Sequence, residues 1–234
     1  MRITYLFLLV ILFGCGYRSD NETTKSTRPN EESYAKKRDS YLRESIISPG
    51  VLRIYSDILG RKNDTIRIFS PDGSVYGQIH NPKKDISFPE VFLSNKENVF
   101  SRAYYPDYHL LIFDAFPIEN GRFRIYINDQ EKIIHQLDGI TYYESWESHI
   151  GNAFISSSLS NPLREANSIQ SAEIELTADD YKYLSYEVIQ IKGDWAEVKC
   201  LEVCEGCPKD GRKIHGWLKW KENNKLLVRI AYLC

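Results

Sequence analysis

The chain reads as a mainly β protein: an N-terminal β-rich part with one short helix, followed by a small C-terminal β-barrel. Three observations predict this. The 234 residues include 16 Tyr, 10 Phe and 4 Trp against a single Met, with many Ile and Val beside them, and aromatic and β-branched side chains favour strands. Apolar and polar residues alternate with period two over several short segments, the mark of half-buried strands. Turn residues punctuate those segments.

Taken in order, Val51–Tyr55 and Thr65–Phe69 alternate cleanly, with Lys62-Asn63-Asp64 as the turn between them. Ser70-Pro71-Asp72-Gly73 is a second turn signal, and Val75–Ile79 completes a hairpin across it. His109–Phe113 and Arg122–Ile127 read as strands, and Lys132–Gln136 returns after a turn at Asn128-Asp129-Gln130-Glu131. In Tyr142–Ser156 the spacing of Trp146, Ile150, Ala153 and Phe154 predicts a short helix. Residues 156–171, rich in Ser and Asn and holding Pro162, form a boundary loop. A last β region runs from Ala172 to Cys234. A weak similarity between Gly121–Ile127 and Gly193–Val198 allows the first β region to hold a related unit. Residues Glu31–Ile47 have helix-forming composition, but Tyr34, Tyr41 and Leu42 make a poor apolar stripe.

The N-terminus differs from all of this. Met1-Arg2 is a basic start, Ile3–Phe13 is an almost unbroken apolar run, and Leu12-Phe13-Gly14-Cys15 closes it. The run is shorter than the ~20 apolar residues needed to span a bilayer, and its layout is that of a cleaved signal. It resembles a bacterial lipoprotein signal peptide, with Phe13 larger than is usual at its position. The resemblance implies removal of residues 1–14 and acylation of Cys15, including a palmitate-type chain. Two or more acyl chains anchor stably where one does not. Gly16 in place of Asp points toward the outer membrane within the cell envelope. Residues 15–45 are polar and mixed in charge, so they serve as a tether and not as a folded unit.

Composition narrows the function classes. A net charge of −2 leaves no electrostatic footprint for nucleic acid. There is no Gly-x-Ser-x-Gly elbow, no His-Glu-x-x-His and no phosphate-cradling Gly loop. Asp107-Tyr108-His109 and Trp146-Glu147-Ser148-His149 each place an acid near a histidine, but nearness in sequence is not catalytic geometry. No catalytic residue is assigned, and a non-enzymatic role is expected.

Near the C-terminus, Tyr186–Ile191 is followed by a turn at Lys192-Gly193-Asp194, then Trp195-Ala-Glu-Val198, and later Gly216-Trp217-Leu218-Lys219-Trp220. This pattern resembles a bacterial SH3-like (SH3b) domain over residues 172–234, with Cys200–His215 longer and more cysteine-rich than the usual hairpin. The resemblance implies a small barrel whose aromatics line a shallow peptide-binding groove. Trp195, Trp217 and Trp220 are the groove candidates, and core packing is the competing role for each. Gly216 is expected where backbones approach closely.

Four cysteines remain besides Cys15: Cys200, Cys204, Cys207 and Cys234. Disulfides are the first reading in an exported chain. Strand parity places Cys200 with Ala196 and Val198, and Cys234 with Leu226, Val228 and Ile230, so a Cys200–Cys234 bridge is preferred, with Cys204–Cys207 as a tight loop. The long loop closed by the first bridge contributes ~3 kcal/mol or more in the chain-entropy model. Zinc held by Cys200, Cys204, Cys207 and His215 is the rival, and thiol exchange at Cys204-Glu-Gly-Cys207 a third reading. No other cofactor is expected.

The expected layout is therefore a signal at 1–14, a lipidated tether at 15–45, a β-rich domain at 46–160 and an SH3-like barrel at 172–234. The expected function is non-enzymatic binding of cell-wall (peptidoglycan) peptide or an envelope protein partner by a lipid-anchored protein. The alternatives are a structural accessory subunit of an outer-membrane assembly and a hydrolase acting on wall or glycan.

Overall fold

The computed structural model describes residues 45–55, 65–80, 90–93, 101–105, 110–127, 130–203, 206–208 and 210–232. The segments expected as a signal and, up to residue 44, as a tether, and the turns expected at Lys62–Asp64 and Asn128-Asp129, lie outside the described residues. Among the described residues, no helix is long and apolar enough to cross a membrane.

The described structure is mainly β and every strand pairing in it is antiparallel. The first sheet contains β1 (Gly50–Tyr55), β2 (Thr65–Phe69), β3 (Val75–His80), β4 (Glu90–Leu93), β5 (Ala103–Tyr105), β6 (Leu110–Ile118), β7 (Arg122–Ile127), β8 (Gln130–His135) and β9 (Thr141–Ser145). Its order is β4-β3-β2-β8-β7-β6-β1-β9, with β5 also paired to β6. The second sheet contains β10 (Phe154–Ser156), β11 (Tyr186–Lys192), β12 (Trp195–Cys200), β13 (His215–Lys219) and β16 (Arg229–Ala231), in the order β13-β12-β11-β10-β16. A small pair, β14 (Lys221–Glu222) with β15 (Lys225–Leu226), lies between β13 and β16. Helix α1 spans Trp146–Gly151 and helix α2 spans Ala178–Tyr183. Among the described residues neither sheet closes into a barrel.

Most of the expected strands are present. The Pro-Asp-Gly hairpin forms as read: Ser70 N–H donates to the Ser74 carbonyl at 2.8 Å, and Gly73 takes a positive φ of 86°. Three expectations are corrected. The helix read across Tyr142–Ser156 occupies only Trp146–Gly151, because Thr141–Ser145 pairs with β1 as a strand and Phe154–Ser156 pairs with β11 and β16. The turn read at Asn128–Glu131 ends earlier, since Gln130 and Glu131 already pair with Ile127 and Tyr126. Helix α2 was not expected. Its signal was Thr177-Ala-Asp-Asp180, a capping box in which Thr177 accepts from the Asp180 N–H and Asp180 accepts from the Thr177 N–H.

Side-chain alternation gives the first sheet two different faces. On one face Leu52 pairs with Phe113, Ile54 with Leu111, Ala115 with Ile125, Phe123 with Ile134 and Ile66 with Ile79, and these residues form one buried cluster. Since the cluster draws on β1, β2, β3, β6, β7 and β8 together, the sheet must curl over its own face, as twisted sheets do. On the other face Val51 of β1 and Ile112 of β6 join Trp146, Ile150, Ile155, Tyr186, Ala196, Val198, Leu218 and Trp220 in a second core. The two sheets thus share a core, and β10, which precedes the 156–171 loop, belongs to the C-terminal sheet.

Inside that shared core sits a buried ion pair. Arg102 donates to both carboxylate oxygens of Asp114, at 2.8 and 3.1 Å, and its Nη2 also donates to the Ser45 carbonyl at 2.7 Å. The side chains are 2% and 1% exposed, and the guanidinium lies over the Trp146 ring at 4.9 Å. Taking one partner away strands the other charge in a dry core, at a cost of about 3–5 kcal/mol, whereas replacing both with apolar residues is far less costly. Urea unfolding followed by tryptophan fluorescence is expected to show that loss for Arg102→Met or Asp114→Leu alone, and a much smaller one for the double variant.

Candidate functional site

The three tryptophans expected to line a groove are divided between the shared core and one face of β12 and β13. Trp220 is fully buried, with its indole N–H donating to the Gly193 carbonyl at 3.0 Å. Trp217 is also buried, beneath the Lys192 ammonium 5.1 Å from its ring. Trp195 is half-buried on the same face of β12 and β13. The close approach expected at Gly216 is present: a Cβ there would lie 2.6 Å from the Arg164 carbonyl oxygen, because Arg164 bridges to Trp217 and covers the β13 edge.

The cysteines also differ from the preferred pairing. Cys200 bonds to Cys207, not to Cys234. After β12 the chain folds back through a bridge between Leu201 and Gly206, and Ser185 joins both strands of that return by accepting from the Leu201 N–H and donating to the Gly206 carbonyl. This return brings the Cα atoms of Cys200 and Cys207 to 5.1 Å. The zinc alternative needs both of those thiolates free, which the disulfide prevents. Its fourth member, His215, is instead an exposed partner of Glu197 at 3.0 Å. Cys15, Cys204 and Cys234 lie outside the described residues.

Among the described residues a concavity lies at the corner where β1, β9 and α1 meet. A cleft of about 540 Å³ is lined by Arg53 and Tyr55 of β1, Tyr142, Tyr143 and Glu144 of β9, and Asn152 at the end of α1. Register puts Arg53 opposite Tyr142 and Val51 opposite Glu144, so Arg53, Tyr55, Tyr142 and Glu144 share the sheet face that meets the C-terminal sheet. Tyr55 and Tyr142 make an edge-to-face pair with centroids 5.2 Å apart. Arg53 donates to the Tyr55 hydroxyl at 3.3 Å and pairs with Glu144 at 3.2 Å. Tyr143 points to the opposite face, where its ring stacks on Phe123 at 5.6 Å.

Behind the cleft, Glu144 begins a buried polar chain. Its Oε1 lies 2.8 Å from His149 Nδ1, and His149 Nε2 lies 3.1 Å from the Tyr232 hydroxyl. A carboxylate only accepts, so Nδ1–H donates to Glu144, while Nε2 accepts from the Tyr232 hydroxyl when the ring is neutral and donates to it when the ring is charged. Burial raises the pKa of the Tyr232 hydroxyl, which keeps it a donor. Burial also acts to raise the Glu144 carboxyl, but the His149 hydrogen bond and the charges of His149 and Arg53 outweigh it and hold the group below its ordinary value. The acid paired with His149 is therefore Glu144, five residues earlier on β9, and not Glu147, two residues earlier.

A Glu–His–Tyr row resembles a nucleophile train only in its residue types. His149 is fully buried, and a hydroxyl pushed upward is the reverse of an activated nucleophile. The row ties the β9–α1 corner to the chain after β16. Sequence reasoning missed the cleft because Arg53 occupies an ordinary polar position of an alternating strand and Tyr142-Tyr143-Glu144 was read as helix. The usable signal was the Tyr-Tyr pair beside a charged residue.

No protein-family model, curated protein or solved structure matches the chain.

The lowered pKa of Glu144 fixes the sign of a pH effect. A carboxylate held below its ordinary value contributes stability above that value and loses it as pH falls through the folded-state pKa. Thermal unfolding between pH 7 and 3 is expected to show wild type losing stability below about pH 4.5, the ordinary value for this group. Glu144→Gln is expected to start lower at neutral pH and fall less steeply on acidification.

Proposed function

We propose that this chain is a lipid-anchored cell-envelope protein that binds, without catalysis, cell-wall peptide or an extended segment of an envelope protein. The observation that carries the reading is the tyrosine cleft at the β1–β9–α1 corner. Ligand sites combine an apolar lining with a few convergent polar groups. Three tyrosines with Arg53, Glu144 and Asn152 supply both. Tyr142 is 46% exposed at the mouth of the cleft, and its ring offers a stacking surface with a wet hydroxyl. The resemblance of residues 172–234 to SH3-like modules, small barrels that bind peptides, supports a binding role, and so does the buried state of His149. The apolar run Ile3–Phe13 followed by Gly14-Cys15 supports the anchor, and Gly16 supports an outer-membrane address.

Two measurements test the reading. A soluble form beginning at Gly16 is expected to co-sediment with purified cell-wall sacculi or, if an envelope protein is the partner, to cross-link to it in intact cells. Tyr142→Ala is expected to remove the interaction at least tenfold while the exposed position keeps stability within about 0.5 kcal/mol. Loss of neither interaction in that variant would reject the cleft. Separately, labelled palmitate is expected to enter the full-length chain and not Cys15→Ser, which should leave the membrane fraction.

A further inference from the structure

Resting on the cleft as the binding site, we infer that its occupant is an extended peptide that pairs with β9 as an added strand. β9 is the last strand of the first sheet, and β1 is its partner on one side. In an antiparallel ladder the residues alternate between those bonded to the partner and those facing away. The parity is fixed at both ends of this pair. Tyr55 N–H donates to the Ile140 carbonyl at 3.0 Å, and Trp146 N–H donates to the Pro49 carbonyl at 3.3 Å. Residues 142 and 144 therefore face β1, while the main-chain groups of Tyr143 and Ser145 face outward. The next outward position toward the N-terminus, Thr141, spends its N–H on the Leu137 carbonyl at 3.0 Å. Ser145 is the N-cap of α1, so its carbonyl is taken by the first turn of the helix, and the outward edge is open among the described residues at both main-chain groups of Tyr143 and at the Ser145 N–H.

The cleft takes in this same strand. It is lined by Tyr142 and Glu144, whose side chains lie on one face of β9, by Tyr143, whose side chain lies on the other, and by Arg53 and Tyr55 of β1. No proline, lysine or bulge occurs in Thr-Tyr-Tyr-Glu-Ser, and its one charge, Glu144, is already paired with Arg53 and His149. Main-chain donors and acceptors at strand spacing are matched by another main chain. A peptide residue opposite Tyr143 would exchange both bonds with it, and its two neighbours would project over Tyr142 and Glu144 into the cleft. Those neighbours would meet an aromatic face and the Arg53–Glu144 pair, so an apolar or aromatic residue beside one with a hydroxyl or amide fits the chemistry.

The test uses a phage-displayed library of random linear peptides panned on the chain beginning at Gly16. Selected peptides are then measured by fluorescence polarisation. Each is also resynthesised with single N-methylated amides at successive positions, which removes one donor at a time without touching the protein. Strand addition predicts that alternate N-methylations weaken binding at least tenfold and the intervening ones do not. It also predicts that Tyr143→Pro, which deletes an outward N–H at an edge position that tolerates proline, loses binding to a similar extent. Binding that Tyr142→Ala or Arg53→Ala abolishes, but that shows no alternation in the N-methyl series, would overturn strand addition and leave the cleft reading standing. Peptides that no cleft variant weakens, or failure to select any, would overturn both.

Discussion

The structure depends on one constraint: β1 and β6 are apolar on both faces. Val51 and Leu52 are adjacent and both fully buried, as are Leu111, Ile112 and Phe113. Alternating orientation makes a run of this kind impossible to satisfy with one covered face, so a second layer must lie against the sheet. Each aliphatic side chain left in water would cost about 1.5–3 kcal/mol. The curl of the first sheet covers Leu52, Ile54, Leu111 and Phe113, and the C-terminal sheet covers Val51 and Ile112. That second packing fixes Asp114, one turn of the pleat beyond Ile112, in the same dry layer, where Arg102 has to reach it.

The corner at β9 and α1 follows from this arrangement. After β9 the chain must leave the first sheet and enter the second through β10, and α1 makes the crossing in two turns. Ser145 starts it by accepting from the Ser148 N–H, and Trp146 and Ile150 seal it into the shared core. The crossing carries His149 inward, where Glu144 and Tyr232 bind it from the two sides of the molecule. The cleft lies at this hand-over between the sheets, with the Glu144–His149–Tyr232 row behind it.

Period two was legible wherever one face of a strand was buried, which is why Thr65–Phe69 and Arg122–Ile127 coincide with β2 and β7. It failed where packing replaced local pattern. Tyr142-Tyr143-Glu144 carries no alternation, because Tyr143 stacks on Phe123 while Tyr142 and Glu144 line a cleft, and all three are partly polar and partly exposed. Phe154–Ser156 is too short to announce itself and is a strand only because β11 and β16 flank it. The cysteine parity argument placed Cys200 inward correctly, since it joins the shared core, but parity within strands is silent about the return of the chain after Leu201. The cleft depends on contacts between Tyr55 and Tyr142, far apart in sequence, which no local window contains.

The division of labour among the aromatics has a physical basis. Trp carries a large apolar area and one donor, so a single carbonyl satisfies it inside the core, as Gly193 does for Trp220. Tyr carries a hydroxyl that both donates and accepts, and it gains from standing with its ring on protein and its tip in water. Tyr55, Tyr142 and Tyr143 occupy that boundary at the edge of β9, whereas Trp146, Trp217 and Trp220 are withdrawn from it. Trp146 and Trp220 therefore belong to the core shared by the two sheets, and the smaller, amphipathic rings line the cleft. Composition counts the aromatics but does not separate the buried rings from the exposed ones, because burial is set by the packing of the two sheets.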